Sequence, residues 1–439
     1  MSALFADGSD SSLVRRLAGA AFLIRVVSAA LTFVAQIMLA RWMGSFDFGV
    51  YIYGWTWVLL IGGVVDLGLG SAAQRFIPEY TEHGRLALLR GFLGGSRWLA
   101  LLFGCLAGTI GAAAVRLLTP HIDPATVVPL YISCAALPLF GVWTVQSGIA
   151  RSYNWVNLAL SPVYVQRQIV LLAGMGLVYA AALPTDAVTG TLIGVGALIS
   201  VGVGQIVILN RRLSGVVERG PKAYAPRTWL FTSIPLFLVE AFTQLLNYTD
   251  IIVLKQFRSA EDVAIYYAAA KTIALVAFIS YSVAQTIAHK FVAYDVTGNR
   301  RGLAAFLKQS VRLTFWPSLV VIIGLLALGH PLLRLFGREF TSGYYLMFII
   351  AVGLLARAAI GPAERLLNML GERRACAQIY AGSFAINLVL CLVLIPRFGI
   401  TGAAIASATA LVFESIFLFV VAKARLGFHC LIFGRSRDC

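Results

Sequence analysis

IMLARWMGSFDFGVY, Ile37 to Tyr51, closes one long apolar run, passes through a short polar turn and opens the next. A second version stands 215 positions later, IVLKQFRSAEDVAIY from Ile252 to Tyr266. Ile37 aligns with Ile252, Leu39 with Leu254, Asp47 with Asp262 and Tyr51 with Tyr266. An echo at this distance in a 439-residue chain points to two halves built on one plan. The far end of each half agrees: Pro184, Val188, Thr189 and Gly190 align with Pro396, Ile400, Thr401 and Gly402, at an offset of 212.

Composition says what the halves are made for. The chain is 59% hydrophobic and 12% charged, and its mean hydropathy is +0.85. Soluble domains carry roughly a quarter charged residues, so these charges are too few to cover a water-facing surface. The expectation is an all-α membrane protein, because backbone polar groups in lipid must be bonded within their own segment. Continuous apolar runs, without alternation, argue against a barrel.

Spanning the hydrocarbon core takes ~20 apolar residues. Twelve runs qualify: Leu17–Leu39, Val50–Ala72, Trp98–Leu118, Ala125–Val145, Leu158–Ala181, Val188–Leu209, Trp229–Val253, Val263–Ile287, Thr314–Phe336, Tyr344–Leu367, Ala377–Ile395 and Gly402–Ala422. Pro162, Pro235, Pro317 and Gly361–Pro362 predict kinks within them. The N-terminal MSALFADGSDSSLVRR has no small-residue cleavage site, so the first run reads as a retained helix.

The net charge of +16 reads first as topology rather than as a nucleic-acid surface. With the N-terminus in the cytoplasm, 24 of the 35 Lys and Arg fall in inside segments or at the run ends beside them, 7 in outside loops or at the run ends beside them, and four, Arg25, Arg167, Lys271 and Arg357, deep within runs. This places both termini in the cytoplasm. The expected organisation is an N-terminal six-helix lobe over 1–209, a basic linker over 210–227 and a C-terminal six-helix lobe over 228–439, giving two pseudo-symmetric lobes. Two inside stretches, Phe76–Gly94 and Phe291–Val311, mix apolar and basic residues and are expected as short helices on the inner membrane face.

Enzyme chemistry finds no foothold. The six Cys include no CxxC pair, the five His show no metal-ligand spacing, and no phosphate-binding loop, nucleophile elbow or triad spacing occurs. No cofactor or metal is expected. Glycines such as those of GLG at 68–70 lie within runs and serve close helix approach.

Four stretches in order carry a resemblance: LARWMGSFDFGVYIYGW (39–55), DLGLGSAAQRFIPEY (66–80), LFGREFTSGYYLMFIIAVGLL (335–355) and NLVLCLVLIPRFGITGAAIASA (387–408). With their spacing they cover nearly the whole chain. It resembles the polysaccharide transporter branch, the Wzx-type flippases, of the multidrug/oligosaccharidyl-lipid/polysaccharide exporter superfamily. The resemblance implies twelve helices around a central cavity, alternating access, and passage of undecaprenyl-diphosphate-linked sugar repeats across a bacterial inner membrane. The implied partners are that glycan lipid, membrane lipids, and a glycan polymerase with its chain-length regulator; no nucleic acid is implied. Drug exporters of the superfamily share the helix count. The alternatives are therefore a cation-coupled drug or metabolite exporter and a membrane-embedded enzyme of glycan assembly.

A charge at the bilayer centre costs at least ~2.5 kcal/mol, so each needs a partner or a wet cavity. Arg25, Arg167, Lys271 and Arg357 are the mid-run cations. They are candidates to neutralise a diphosphate, which a guanidinium binds in bidentate fashion. Each also has a structural reading: snorkelling for Arg25, a salt bridge for Arg167, pairing with Glu364 or Glu414 for Arg357. Glu240, Asp250 and Glu414 are candidate counter-ions or coupling groups. Asp66 reads as a helix cap. Gln36, Gln166, Gln168 and Asn247 are candidate glycan contacts, with packing as the rival role. The offset of 215 pairs Arg25 with Glu240, which predicts equivalent depths on opposite cavity walls.

Overall fold

The computed structural model describes residues 8–296, 299–428 and 430–432. Among these the regular structure is helical throughout. The α-helices are α1 (Gly8–Gly62), α2 (Leu69–Glu82), α3 (Leu86–Leu118), α4 (Pro124–Ser152), α5 (Val156–Ser161), α6 (Arg167–Ala180), α7 (Ala187–Ser214) and α8 (Pro226–Phe257). They continue as α9 (Ala260–Ile273), α10 (Ala277–Val296), α11 (Arg300–Ala327), α12 (Gly329–Phe336), α13 (Tyr344–Ala359), α14 (Ala363–Met369), α15 (Arg373–Phe398) and α16 (Ile400–Val421). Eleven of the expected runs lie on one or two of them with at most short breaks, whereas the second, Val50–Ala72, is interrupted by a turn over 63–68 between α1 and α2.

Ten described segments are long and apolar enough to cross a membrane. The difference from twelve has two sources. The first two runs share α1, which breaks at Gly44 (φ 78°, ψ 171°), and the seventh run lies on α8, which is not among the ten. Lipid exposure is legible on α3, where Trp98, Leu102, Leu106 and Ile110, four residues apart, are each more than half exposed. That spacing puts them on one helical face.

The repeated stretch holds its register. Leu39 and Leu254 are 1% and 0% exposed, Tyr51 and Tyr266 3% and 1%. The break between helices falls at Gly44 in one copy and, 215 residues on, at Ser259 in the other. Ser259 caps α9, its hydroxyl accepting from the Asp262 amide at 3.3 Å.

The chain forms two compact units. One comprises residues Met1–Trp42 and Trp57–Ala241, the other Met43–Thr56 and Phe242–Cys439. Both boundaries after the first fall inside helices, so the first half of α8 packs with the first unit and the start of the second run packs with the second.

The first unit is built on α3 against α4, with α2 and α7 flanking α4. Gly148 of α4 meets the Gly70 carbonyl so closely that a Cβ would overlap it. The core gathers Leu69, Ile77, Phe92, Ile149 and Trp229, all nearly inaccessible. Trp229 anchors the start of α8, its indole donating to the Tyr80 hydroxyl at 3.1 Å and its ring edge-on to Phe92 at 5.3 Å. The expected surface helix over 76–94 is instead the end of α2, a turn at His83–Arg85 and the opening of α3. Its apolar side chains Phe76, Ile77 and Tyr80 are taken up by this core, which removes the face that a membrane surface would bind. Likewise 291–311 is divided between α10 and α11, and Phe291, Leu303 and Leu307 are core. The linker is tied down: Ala223 N donates to Ala87 O at 2.9 Å and Arg90 to Glu218 O at 2.6 Å.

The second unit packs α15 and α13 against α16, with α11 alongside α10 and α13. Its core includes Phe291, Leu307, Leu366, Cys376 and Leu418. Phe48, fully buried, meets the rings of Tyr267 and Phe340 edge-on at 6.2 Å each. The adjacent Gly49 lies on the Ala260 carbonyl with no room for a Cβ. Kinks follow the prolines in part: Pro162 opens a π-helical turn, Pro162–Gln166, and Gly361 (φ 55°) with Pro362 separates α13 from α14. Pro317 is carried inside α11.

Candidate functional site

The membrane-embedded charges gather in small groups inside each unit. In the first unit, α5 passes through the π turn directly into α6, and Arg167 is the first residue after it. π turns widen a helix locally and recur at functional sites. Arg167 is 9% exposed although it carries a permanent charge. Its neighbour Gln168, 7% exposed, donates to Thr32 Oγ1 of α1 at 3.1 Å. Gln166 points elsewhere: it is exposed, and its amide donates to Ser161 Oγ at 3.5 Å. Gln36 is half-buried on α1. The side chain of Arg25 lies outside the described residues, so its pairing with Glu240 has no structural counterpart here.

Asp66 caps α2. Its two carboxylate oxygens accept from the amides of Gly68 at 3.1 Å and Gly70 at 2.9 Å, which satisfies donors that the first helical turn leaves unpaired. Glu240, on the portion of α8 belonging to this unit, is exposed and lies in the field of Asp66 and Arg151. Arg151 itself donates to Ser147 O at 3.2 Å.

In the second unit, Asp250 of α8 is 9% exposed and well satisfied. Tyr266 OH of α9 donates to its Oδ2 at 2.5 Å, Ser407 Oγ of α16 donates to the same oxygen at 3.0 Å, and the Ile251 amide donates to Oδ1 at 2.8 Å. Lys271, one turn beyond Tyr267, lies over that ring at 5.3 Å and in the field of Asp250. Three helices thus converge on one carboxylate with a cation beside it. Asn247, one turn earlier on α8, is exposed.

Arg357, near the end of α13, is held between two carboxylates: Glu364 Oε2 at 3.5 Å and Glu414 Oε1 at 3.6 Å. Glu414 is wholly buried on α16, whereas Arg357 keeps 40% of its side chain accessible. Tyr380 of α15 lies in the field of Glu364, Glu414 and Arg357. Both pairings open at the sequence level are therefore made at once. This engagement directs Arg357 toward holding α13, α14 and α16 together.

Sequence reasoning missed the groups that complete these clusters. Ser407 and Tyr380 are ordinary polar residues in apolar runs, and nothing in one dimension ties them to a carboxylate. Tyr266 carried a signal, as the last match of the repeat. Arg151 sits in the last turn of α4, where only its place among the basic residues could be read.

Three comparisons bear on this arrangement. A family model described as "Polysaccharide biosynthesis protein" matches residues 15–288. The chain is 21% identical over 425 residues to the probable low-salt glycan biosynthesis flippase Agl15 of Haloferax volcanii, covering 90% of this chain and 80% of that one. Among solved structures, the lipid II flippase MurJ in an inward closed conformation superposes with a TM-score of 0.71 at 16% identity, covering 91% of this chain and 87% of MurJ. An inward-facing multidrug resistance MATE family transporter of the MOP superfamily gives 0.73 at 13% identity, covering 92% and 98%. At such identities the structural likeness establishes the fold.

Proposed function

Because the chain belongs to the polysaccharide biosynthesis protein family, we propose that it flips lipid-linked oligosaccharide between leaflets by alternating access. The cargo is an undecaprenyl-diphosphate-linked repeat destined for O-antigen, capsule or exopolysaccharide, and a glycan polymerase consumes it on the far side. The membrane is the bacterial inner membrane, with both termini cytoplasmic. The chain is organised as two pseudo-symmetric six-helix lobes, 1–209 and 228–439, joined by the linker over 210–227. The name of the Haloferax relative and the asymmetry of Lys and Arg support this reading.

The observation that carries it is Arg167, a permanently charged, 9% exposed residue set on a π turn within an apolar run. A cation there suits a diphosphate. Arg167 is assigned to the phosphate, with Gln168 next to it on α6 and Gln36 of α1 toward the sugar. Lys271 is a second phosphate contact, with Asp250 as its counter-ion. Arg25 stays a candidate of the same kind. Gln166 and Asn247, both exposed, are secondary glycan contacts. Arg357 and Glu414 are assigned to structure, and Glu240 to the field of Arg151.

The test is a proteoliposome assay with a fluorescent undecaprenyl-diphosphate oligosaccharide, read by quenching from outside. The wild type speeds loss of the protected pool. Removing a charge-assisted hydrogen bond forfeits ~1.5–3 kcal/mol, so Arg167→Gln slows flipping by about ten- to a hundred-fold. Wild-type vesicles that match empty ones would overturn the function. Arg167→Gln at the wild-type rate would overturn the site alone. Pumping of a cationic dye without glycan flipping would favour the drug-exporter alternative.

A further inference from the structure

A cleft in the first unit is lined by none of these charges. Helices α3, α4 and α7 leave between them a cleft of about 340 Å³. Glycines open it: a Cβ at Gly94 or at Gly202 would meet nothing within 4 Å. Its wall includes Trp98, Ile199 and Val203, which are 71%, 43% and 52% exposed. These are the surfaces that lipid covers in a membrane-spanning unit. The volume equals about a dozen waters at ~30 Å³ each, room for part of one hydrocarbon chain.

The cleft is amphiphilic: Leu101, Leu139 and Leu198 line it together with Arg97 and Gln146. Arg97 Nη1 donates to Asn210 Oδ1 of α7 at 2.7 Å, a pair open to solvent, and Arg211 and Arg212 follow in the same helix. Arg97 Nε and Nη2, Trp143 Nε1 and Gln146 Oε1 are shielded from water and have no protein partner. Gln146 is 1% exposed and Trp143 2%. Buried polar groups in native proteins are ordinarily paired, so three adjacent residues with unused capacity in one cleft mark a place where a ligand completes the pairing.

We propose that this cleft holds part of one acyl chain of an anionic phospholipid, with its phosphate at the Arg97–Asn210 pair and its glycerol ester beside Gln146 and Trp143. The cation selects an anionic head, the three leucines select hydrocarbon, and the size admits part of one chain. The site is separate from the cargo assignment and stands whether or not that holds.

Native mass spectrometry of the delipidated full chain tests it. The probes are phosphatidylglycerol, phosphatidylcholine and undecaprenyl phosphate, each alone and in competition. The wild type retains one phosphatidylglycerol in about ten-fold preference to phosphatidylcholine. Arg97→Gln brings that ratio near one. Gly202→Leu and Gly94→Leu, which fill open space, lose the retained lipid while keeping the wild-type melting profile in detergent. Unchanged phosphatidylglycerol retention in Arg97→Gln and in whichever glycine variant folds would overturn the site. Displacement of phosphatidylglycerol by an equimolar amount of undecaprenyl phosphate would overturn the phospholipid assignment and make the cleft a second station for a polyprenyl lipid.

Discussion

Replacing Arg357 with methionine should destabilise the second unit, and the reason is Glu414. That carboxylate is wholly buried and has Arg357 as its cation, 3.6 Å away. Removing one member of a buried ion pair costs ~3–5 kcal/mol, because the remaining charge is stranded. Arg357 keeps 40% of its side chain accessible, so water already screens part of the interaction and the lower figure of ~2–3 kcal/mol applies. Glu414→Leu should cost less, ~1 kcal/mol, since Glu364 at 3.5 Å still pairs with the arginine. The double variant Arg357→Met/Glu414→Leu should recover most of the loss, as apolar replacement of a buried pair is commonly neutral. Unfolding in mixed micelles by titration with SDS, followed by tryptophan fluorescence, gives the four free energies of the cycle. A single Arg357→Met within ~0.5 kcal/mol of the wild type, or a double variant equal to the sum of its singles, would refute a structural pair. It would also return Arg357 to the set of cations available to a phosphate.

Two further outcomes test the packing. Gly49→Ala forces a Cβ onto the Ala260 carbonyl and should cost ~1–3 kcal/mol in the same titration, as overpacking does. Gly196→Ala, where a Cβ meets nothing within 4 Å, should be neutral or stabilising by up to ~1 kcal/mol; equal effects would refute the close approach at Gly49. Asp66→Ala removes both acceptors at the start of α2 and should cost ~1–2 kcal/mol, with faster amide exchange at Gly68 and Gly70 as the local signature. Asp66→Asn, which keeps an acceptor, should fall between the two.

What the sequence disclosed was whatever depends on solvent. An apolar run of spanning length has few alternatives to a helix, and the runs lie on helices except where the second breaks into a turn over 63–68. The repeat was legible because it fixes a turn, and a turn is local. Helix ends were less legible, because helices run past the apolar band: α3 begins at Leu86, well before the run at Trp98. Arg97, one residue before that run, is accordingly within α3 and lines a cleft. The groupings around Asp250 and Arg357 were only half visible. Their charged members stand out in apolar runs, but their partners are chosen by how α9, α13, α15 and α16 pack. The cleft had no one-dimensional trace at all, being made of the space between three helices.

The hairpins at Gly44 and Ser259 occupy the same register but are secured differently. At Gly44 the backbone enters a region that a side chain forbids almost absolutely. At Ser259 (φ −67°, ψ 167°) the backbone is ordinary and the turn rests on one hydroxyl contact. The two hairpins are therefore not interchangeable. The first has a one-letter alphabet at its corner, whereas the second can drift among serine, threonine, aspartate and asparagine. Their register is shared and their vocabulary private, so a chimera carrying the second hairpin in place of the first would inherit the right length and the wrong corner.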